Sequence, residues 1–362
     1  MNKRQTIIIS CGGTGGHIFP GLEIARSIQS IDSSLDILFV GAKNKMEMRE
    51  VPRAGFPIVG LWIQGINRKL YFNNILFPIK ILISIIHSIF LISWHRPIVV
   101  VGTGGFASGP IVFIASLLRV PTYIQEQNCV AGLTNKVLGN FVDKVFVAYD
   151  GMTKFFPDYK VLKLGNPVRQ SLKTLFKDKT KAMSMFDLKQ DMLTVLILGG
   201  SLGAEPINKV IVKCLDTLSN HNIQLIWQTG KSHYMKYEHL KSDKCSIYKF
   251  IHNMDMAYLA ADIVISRAGA IAISEICFLS KVSILIPSPY VTDNHQYANA
   301  KYLLNHNACI MLEEKELDES LIDSVILLKN NQKRQEISKE ANKLFNYNAA
   351  SKISNIIVND IL

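Results

Sequence analysis

The chain has 362 residues, enough for two domains of ordinary size, each with its own core. Its 48% hydrophobic and 19% charged residues are the make-up of a soluble globular protein; the net charge of +11 suits phosphorylated small molecules, an anionic membrane surface or a generally basic exterior, and the lack of a basic run with interleaved aromatics argues against nucleic acid. The six cysteines, at 11, 129, 214, 245, 277 and 309, neither cluster nor fall at metal-ligand spacing, and are read as reduced thiols of a cytosolic protein.

The first residues, Met-Asn-Lys-Arg-Gln-Thr, run straight into an apolar strand without an h-region or cleavage site, so no secretory signal is expected. Strands are predicted near 6–10, 36–41, 57–62, 97–102, 120–125, 144–148 and 160–164. A second series is predicted near 193–198, 223–228, 246–250, 262–266, 282–286 and 308–312. Many are short, rich in Ile and Val and bounded by Gly, Pro or Asp, with helix-like segments between them. That alternation indicates parallel sheets covered on both faces, and two series indicate two doubly wound α/β halves. Gly and Pro interrupt the pattern at Leu164-Gly165-Asn166-Pro167-Val168-Arg169, which marks the boundary. A charged helical stretch is expected over 170–191, and residues 331–362 read as helical.

Glycine-rich turns recur behind the strands. Gly12-Gly13-Thr14-Gly15-Gly16 follows the first and runs into His17. Gly102-Thr103-Gly104-Gly105 follows 97–102. Gly199-Gly200-Ser201-Leu202-Gly203 follows 193–198 and opens a helix predicted from Ala204 to Ser219. Glycine admits a ligand to main-chain N–H groups, and a helix N-terminus behind it favours an anion such as phosphate. One such turn is explained by packing alone; three at the C-terminal ends of strands point to a ligand. None is a Walker A loop, since no Gly-Lys-Ser/Thr follows. Gly13-Thr14-Gly15-Gly16-His17-Ile18 also lacks the third glycine of a dinucleotide fingerprint, which disfavours hydride transfer. Between the turns, Gln125-Glu126-Gln127-Asn128 puts four polar residues at a strand end, with Glu126 a candidate base or hydroxyl partner. Glu275 in Ser266-Arg267-Ala268-Gly269-Ala270-Ile271-Ala272-Ile273-Ser274-Glu275 lies one to two turns into a helix. There it suits either a ribose diol or the helix dipole. The amide-rich loop 287–299 suits sugar hydroxyls, with Asp293 readable as a helix N-cap. Residues 75–93 nearly match a bilayer span in length. Lys80, Ser84, His87 and Ser88 fall on one helical face, however, and spanning would split one sheet across the membrane. An amphipathic helix is expected, part covering the sheet and part dipping into lipid, with Arg68, Lys69, Lys80, His95 and Arg96 near anionic headgroups; a wholly buried crossover helix is the alternative.

At this point the pattern resembles the MurG family, glycosyltransferases that add N-acetylglucosamine to lipid I to give lipid II in bacterial peptidoglycan synthesis. The matching segments are GGTGGHIFPGL (12–22), GTGGFASGP (102–110), EQN with AGLTNK (126–136), LGNPVR (164–169), LGGSLGA (198–204), SRAGAIAISE (266–275) and DNHQYANA (293–300). They stand in the family's order over nearly the whole chain. The resemblance implies a GT-B fold, two Rossmann-like doubly wound domains facing a cleft. Residues 1–165 would form the acceptor and membrane-associating domain and 166–345 the UDP-sugar domain, with a helix in 346–362 packing back on the first. It also implies that Thr14, Gly15 and Gly16 lie against the donor and that Asn128 reaches the sugar. Arg169 and Ser201 would lie near the diphosphate, Ile251 at the uracil, and Ala270, Ile271, Ala272, Ile273, Ser274 and Glu275 around the uridine, with Gln296 on the sugar. Three departures stand out: Phe106 replaces a common Tyr, Gln125 a His and His295 a Gln, the first two assigned to the acceptor side.

The family inverts the anomeric centre, which implies one in-line displacement by the acceptor's 4-hydroxyl and therefore a general base. His17 is the first candidate and Glu126 its rival; a structural hydrogen bond holding the loop is the other role open to His17. Helix N-termini, Ser201 and Arg169 would meet the leaving-group charge. No Asp-x-Asp motif occurs, so neither an obligatory metal nor a cofactor is expected. The implied partners are UDP-N-acetylglucosamine, lipid I and the anionic cytoplasmic face of the inner membrane, where the protein would be peripheral. The competing readings are a GT-B transferase with another donor or acceptor, and a binding module that has lost catalysis.

Overall fold

A computed structural model describes residues 5–65, 76–172 and 178–361. The chain divides into two compact units, Met1–Val168 with Asn346–Leu362, and Arg169–Phe345.

The first unit has a seven-stranded sheet. Its strands are β1 (Thr6–Ser10), β2 (Asp36–Ala42), β3 (Ile58–Leu61), β4 (Val99–Gly102), β5 (Thr122–Glu126), β6 (Lys144–Val147) and β7 (Val161–Lys163), in the order β3-β2-β1-β4-β5-β6-β7. Every pairing is parallel. Its helices are α1 (Gly15–Ile31), α2 (Glu47–Arg53), α3 (Phe77–His95), α4 (Ser108–Leu117) and α5 (Leu133–Leu138). Successive side chains of a strand point to opposite faces, so both faces of β1 are apolar. Ile7 and Ile9 pack with Ile18 and Leu22 of α1, while Ile8 packs with Leu91 of α3 and Ile111 of α4. Each fully buried isoleucine contributes roughly 1.5–3 kcal/mol.

The second unit has a six-stranded parallel sheet of β8 (Leu193–Leu198), β9 (Ile223–Gln228), β10 (Cys245–Tyr248), β11 (Ile263–Ser266), β12 (Val282–Leu285) and β13 (Ile310–Met311), in the order β10-β9-β8-β11-β12-β13. Its helices are α6 (Lys179–Met185), α7 (Glu205–Asn220), α8 (Tyr234–Tyr237), α9 (Met254–Ala260), α10 (Ala270–Phe278), α11 (His295–Asn305), α12 (Leu317–Leu327) and α13 (Asn331–Lys343). The last helix, α14 (Ala349–Ile361), belongs to the first unit. Ile353, Ile357 and Val358 enter the α1-side core, and the Ser354 hydroxyl donates to the Ile24 carbonyl at 3.2 Å. Both units are therefore Rossmann-like, as the GT-B fold requires.

Three expectations need correction. The stretch 170–191 is not one helix: a 3₁₀ turn at Gln170–Leu172 and the short α6, capped by the Asp178 carboxylate on Lys181 N–H at 3.0 Å, are its helical parts among the described residues. Asp293 is not an N-cap. It sits at φ 53° inside a 3₁₀ turn, and Asn294 precedes α11. The side of α3 that covers the protein carries two residues of its polar stripe. Ser84 and Ser88 are fully buried, with Ser84 donating to the Trp62 carbonyl at 3.3 Å and Ser88 to the Ser84 carbonyl at 2.7 Å. The apolar residues Leu82, Ile86, Phe90 and Trp94 face solvent, so α3 is not a wholly buried crossover helix. Arg68 and Lys69 lie outside the described residues.

Candidate active site

In each sheet the strand order reverses at one point, between β1 and β4 in the first unit and between β8 and β11 in the second. Loops leaving the C-terminal ends of such strands diverge and leave a crevice, the usual ligand position in open α/β sheets. The glycine turns after β1, β4 and β8, and the Arg267–Gly269 turn after β11, stand at these places.

In the first unit the turns after β1 and β4 pack backbone to backbone. Gly105 has φ 83°, and a Cβ there would lie 2.2 Å from the Gly12 carbonyl oxygen. Thr14 caps α1 in extended conformation and is exposed; Gly15 and Gly16 open the helix, half-buried. His17 follows in the first turn. Its Nδ1 lies 2.9 Å from the Gly12 carbonyl and 3.2 Å from the Thr14 hydroxyl. A carbonyl can only accept, so Nδ1 carries the proton and the neutral ring holds its lone pair on Nε2. The Phe106 ring lies 3.1 Å from the Cβ position of Gly13, half-buried against the core.

Glu126, at the end of β5, is buried and both its oxygens are engaged. Oε1 accepts the Asn128 amide N–H at 3.1 Å and its side-chain Nδ2 at 3.1 Å. Oε2 accepts Gly132 N–H at 3.0 Å and Asn135 Nδ2 at 2.9 Å. Four donors match the four lone-pair sites of a carboxylate, so Glu126 holds its own loop and presents Asn128. Gln125 is fully buried and donates to Asn166 Oδ1 at 2.9 Å, while Asn166 Nδ2 donates to the Gln127 carbonyl at 3.0 Å. The His-to-Gln departure at 125 thus sits in an internal amide network.

In the second unit Ser201 and Leu202 are exposed at the tip of the turn after β8. Below them Gly203 (φ 90°) touches Gly230: a Cβ on either would fall within 2.1 Å of backbone atoms of the 229–230 or 203 segment. Gln228 ties the site together, donating to the Gly200 carbonyl at 3.0 Å and accepting Ile251 N–H at 2.8 Å. Ile251 is buried. At α10, Ala270, Ile271, Ile273 and Ser274 are buried and Ala272 is half-buried, so this helix offers few side chains at its N-terminal end. Gly269, its N-cap, has open space where a Cβ would stand. A pocket of about 320 Å³ is lined by Gly199, Gly203 and Ala204 at the start of α7, Arg267, Ser288, Tyr290 and Gln296 among others. The Gln296 side-chain oxygen accepts Ser288 N–H at 2.9 Å. His295 Nδ1 lies 2.7 Å from the Thr292 carbonyl, on the exposed side.

The guanidinium of Arg169, which the resemblance assigns to the diphosphate region, meets Glu275. Nε donates to Oε1 at 2.7 Å, and Nη1 stands 3.5 Å from Asp255 Oδ1. Burial pushes the Glu275 carboxyl above its ordinary value, opposed by the charge and hydrogen bond of Arg169 and by the Tyr258 hydroxyl. The neighbouring carboxylates keep Arg169 charged against its own burial. Glu275 is the sixth residue of α10, beyond the first turn where a dipole role would place it. Sequence reasoning passed over Glu47, Gln228 and Gly230. For the two polar residues only burial reveals the role, whereas the Gly after the predicted strand 223–228 was a usable signal. Among the described residues no three His, Cys, Asp or Glu side chains cluster as metal ligands would.

Residues 7–147 match the glycosyltransferase family 28 N-terminal domain and residues 194–354 its C-terminal domain. The UDP-N-acetylglucosamine--N-acetylmuramyl-(pentapeptide) pyrophosphoryl-undecaprenol N-acetylglucosamine transferase of Flavobacterium psychrophilum is 44% identical over 360 residues, 98% of each chain. That of Bacteroides thetaiotaomicron is 44% identical over 351 residues, 95% of this chain and 94% of its own. The crystal structure of Acinetobacter baumannii MurG superposes with a TM-score of 0.78 at 27% identity, covering 98% of this chain and 99% of that one. The UDP-GlcNAc 2-epimerase of Neisseria meningitidis, solved with UDP-GlcNAc, shares the fold at a TM-score of 0.69 and 12% identity, with 98% of this chain and all of that one covered.

Proposed function

The chain belongs to the MurG family of glycosyltransferase family 28 and transfers N-acetylglucosamine from UDP-N-acetylglucosamine to N-acetylmuramyl-(pentapeptide) pyrophosphoryl-undecaprenol, and we propose that His17 is its general base. The hydroxyl that attacks, the 4-hydroxyl of the muramyl sugar, loses its proton to Nε2 while its oxygen bonds to the anomeric carbon from the face opposite the departing UDP. The observation that carries this is the His17 Nδ1 contact to the Gly12 carbonyl, which leaves Nε2 as the basic nitrogen in the first turn of α1. Glu126, whose oxygens hold four N–H groups, positions Asn128. In the second unit, Ile251 and the start of α10 receive the uridine, Glu275 the ribose diol, and the α7 N-terminus with Ser201 the diphosphate. Gln296 receives the sugar. Arg169 sits 2.7 Å from Glu275, so it orients that carboxylate and adds positive charge near the nucleotide. Mass spectrometry of the product from UDP-N-acetylglucosamine and a lipid I analogue tests the reaction. His17→Ala should lower kcat by about 10²–10⁴-fold with little change in KM for the donor, and a loss below about tenfold removes the base assignment.

The same reading makes the protein peripheral on the cytoplasmic face of the inner membrane, docked through α3. By length and composition α3 could cross a bilayer. It connects β3 to β4, however, two parallel strands of one sheet, so crossing would divide that sheet. Leu82, Ile86, Phe90 and Trp94 instead form an apolar face turned away from the protein, with Trp94 67% exposed. Such a face suits the headgroup–acyl boundary, where a lipid-linked acceptor is presented. Lys80 lies beside it, 5.5 Å from the Trp62 ring centre, and Arg96 is exposed at the helix end.

A further inference from the structure

Glu47 opens α2 and is fully buried. A buried carboxylate requires hydrogen-bond partners, and Glu47 finds two in the backbone. Ala42 N–H donates to Oε1 at 2.9 Å and Gly13 N–H donates to Oε2 at 3.1 Å. The surroundings fit the carboxylate closely. A Cβ at Gly12 would lie 3.0 Å from Oε1, and one at Gly41 2.5 Å from the Glu47 Cγ. Beside it the Cys11 thiol is pushed far above its ordinary range by burial and then by the charge of Glu47, so it stays a neutral thiol.

The Gly13 N–H and the Gly12 carbonyl are the two ends of one planar peptide group. One end donates to Glu47; the other accepts Nδ1–H of His17 at 2.9 Å. A negative charge at the N–H end polarises the group and strengthens its carbonyl as an acceptor. We propose that Glu47 is a positioning residue for His17, acting through the Gly12–Gly13 peptide group, which orients the imidazole with Nε2 basic and stabilises its protonated form. The inference rests on the reading of His17 as the base. As the acceptor oxygen bonds to the anomeric carbon, the bond from that carbon to the diphosphate oxygen breaks and its electron pair leaves on UDP. The hydroxyl proton passes to Nε2, and the resulting imidazolium faces, through one peptide group, the charge of Glu47. This does the work that a carboxylate in direct contact with Nδ1 does in a catalytic triad. Gly13 adopts φ 85°, a conformation that favours glycine, and it is this turn that presents its N–H to Glu47.

A double-mutant cycle tests the relay. Glu47→Gln should lower kcat by about tenfold or more while the donor KM stays within about twofold; in a His17→Ala background the same change should lower kcat by less than about twofold. Equal losses in both backgrounds mark a purely structural role and overturn the proposal. A measurement on the unmodified protein does not depend on the variant folding. In ¹⁵N-histidine spectra the neutral His17 ring should carry its proton on Nδ1, and a predominant Nε2–H tautomer overturns the relay. If His17→Ala alone costs less than about tenfold, the base assignment fails, and whether Glu47→Gln shifts the ring away from the Nδ1–H tautomer still decides whether Glu47 orients it.

Discussion

At the scale of single residues, two substitutions separate scaffold from site. Gly105→Ala would place a methyl 2.2 Å from the Gly12 carbonyl oxygen, at a φ of 83° that L side chains rarely adopt. The clash moves the carbonyl that holds His17, so turnover should fall at least tenfold with a lowered melting temperature. Glu275→Ala removes the acceptor of the Tyr258 hydroxyl, 1% exposed, and the nearer of the two carboxylates beside the Arg169 cation. Stripping one partner from such a pair costs about 3 kcal/mol, readable as a lower denaturant midpoint, together with weaker UDP binding by calorimetry. His17 was legible in the sequence because the turn that holds it is local: Gly12 is five residues away. Glu47 was not, because its partner Gly13 lies 34 residues away and only folding brings β2 beside β1. Glu126 was legible as a polar residue at a strand end. That its oxygens are consumed by Asn128, Gly132 and Asn135 depends on the path of the following loop.

At the scale of elements, α14 shows how a helix distant in sequence is fixed. Its apolar face covers α1, and Asp360 accepts the Tyr123 hydroxyl of β5 at 2.7 Å and pairs with Lys144 of β6. Burial would raise the Asp360 carboxyl, but the hydrogen bonds from Lys144 and Tyr123 outweigh it and hold the group below its ordinary 3.8. A lowered folded-state value means that the contribution is present above pH 3.8 and is lost as pH falls below it. The pair is about a third exposed, so its worth is about 1 kcal/mol at most. Acidification from neutral pH to about pH 3 should lower the protection factors of the α14 amides, taken relative to the slower intrinsic exchange in acid, and Asp360→Asn should show that lower protection at neutral pH with a smaller further change. The elements themselves were readable, since parallel strands buried on both faces appear as continuous Ile- and Val-rich runs. The orientation of α3 was not. Periodicity puts Ser84, His87 and Ser88 on one face but does not say whether that face meets protein or solvent.

At the scale of the whole molecule, each unit repeats one plan and carries its glycine turns where the strand order reverses. The chain changes units after Val168, three residues beyond Gly165, and returns to the first unit at Asn346. The proposed docking at a membrane belongs to this scale, because the net charge of +11 and the apolar face of α3 would act together. Binding to phosphatidylglycerol-containing vesicles should exceed binding to neutral ones and weaken between low and physiological salt, as the screening length falls to about 8 Å. The double variant Phe90→Glu, Trp94→Glu should bind less while melting normally, because both rings are mostly exposed, 58% and 67%. Equal binding to both lipids and by both proteins would remove the docking assignment.

The sequence alone determined what neighbours in the chain decide: strand and helix periodicity, glycine where a turn must leave the backbone open, and a histidine held by its own loop. Spacing and residue type suffice there because the interacting groups are covalently close. Tertiary structure alone decided which charges meet. It paired Arg169 with Glu275 across 106 residues, enclosed Glu126 and Gln125 in hydrogen-bonded networks and turned the apolar side of α3 outward. Burial and hydrogen-bond partnership are properties of the packed chain, and the order of residues does not carry them until distant segments are brought together.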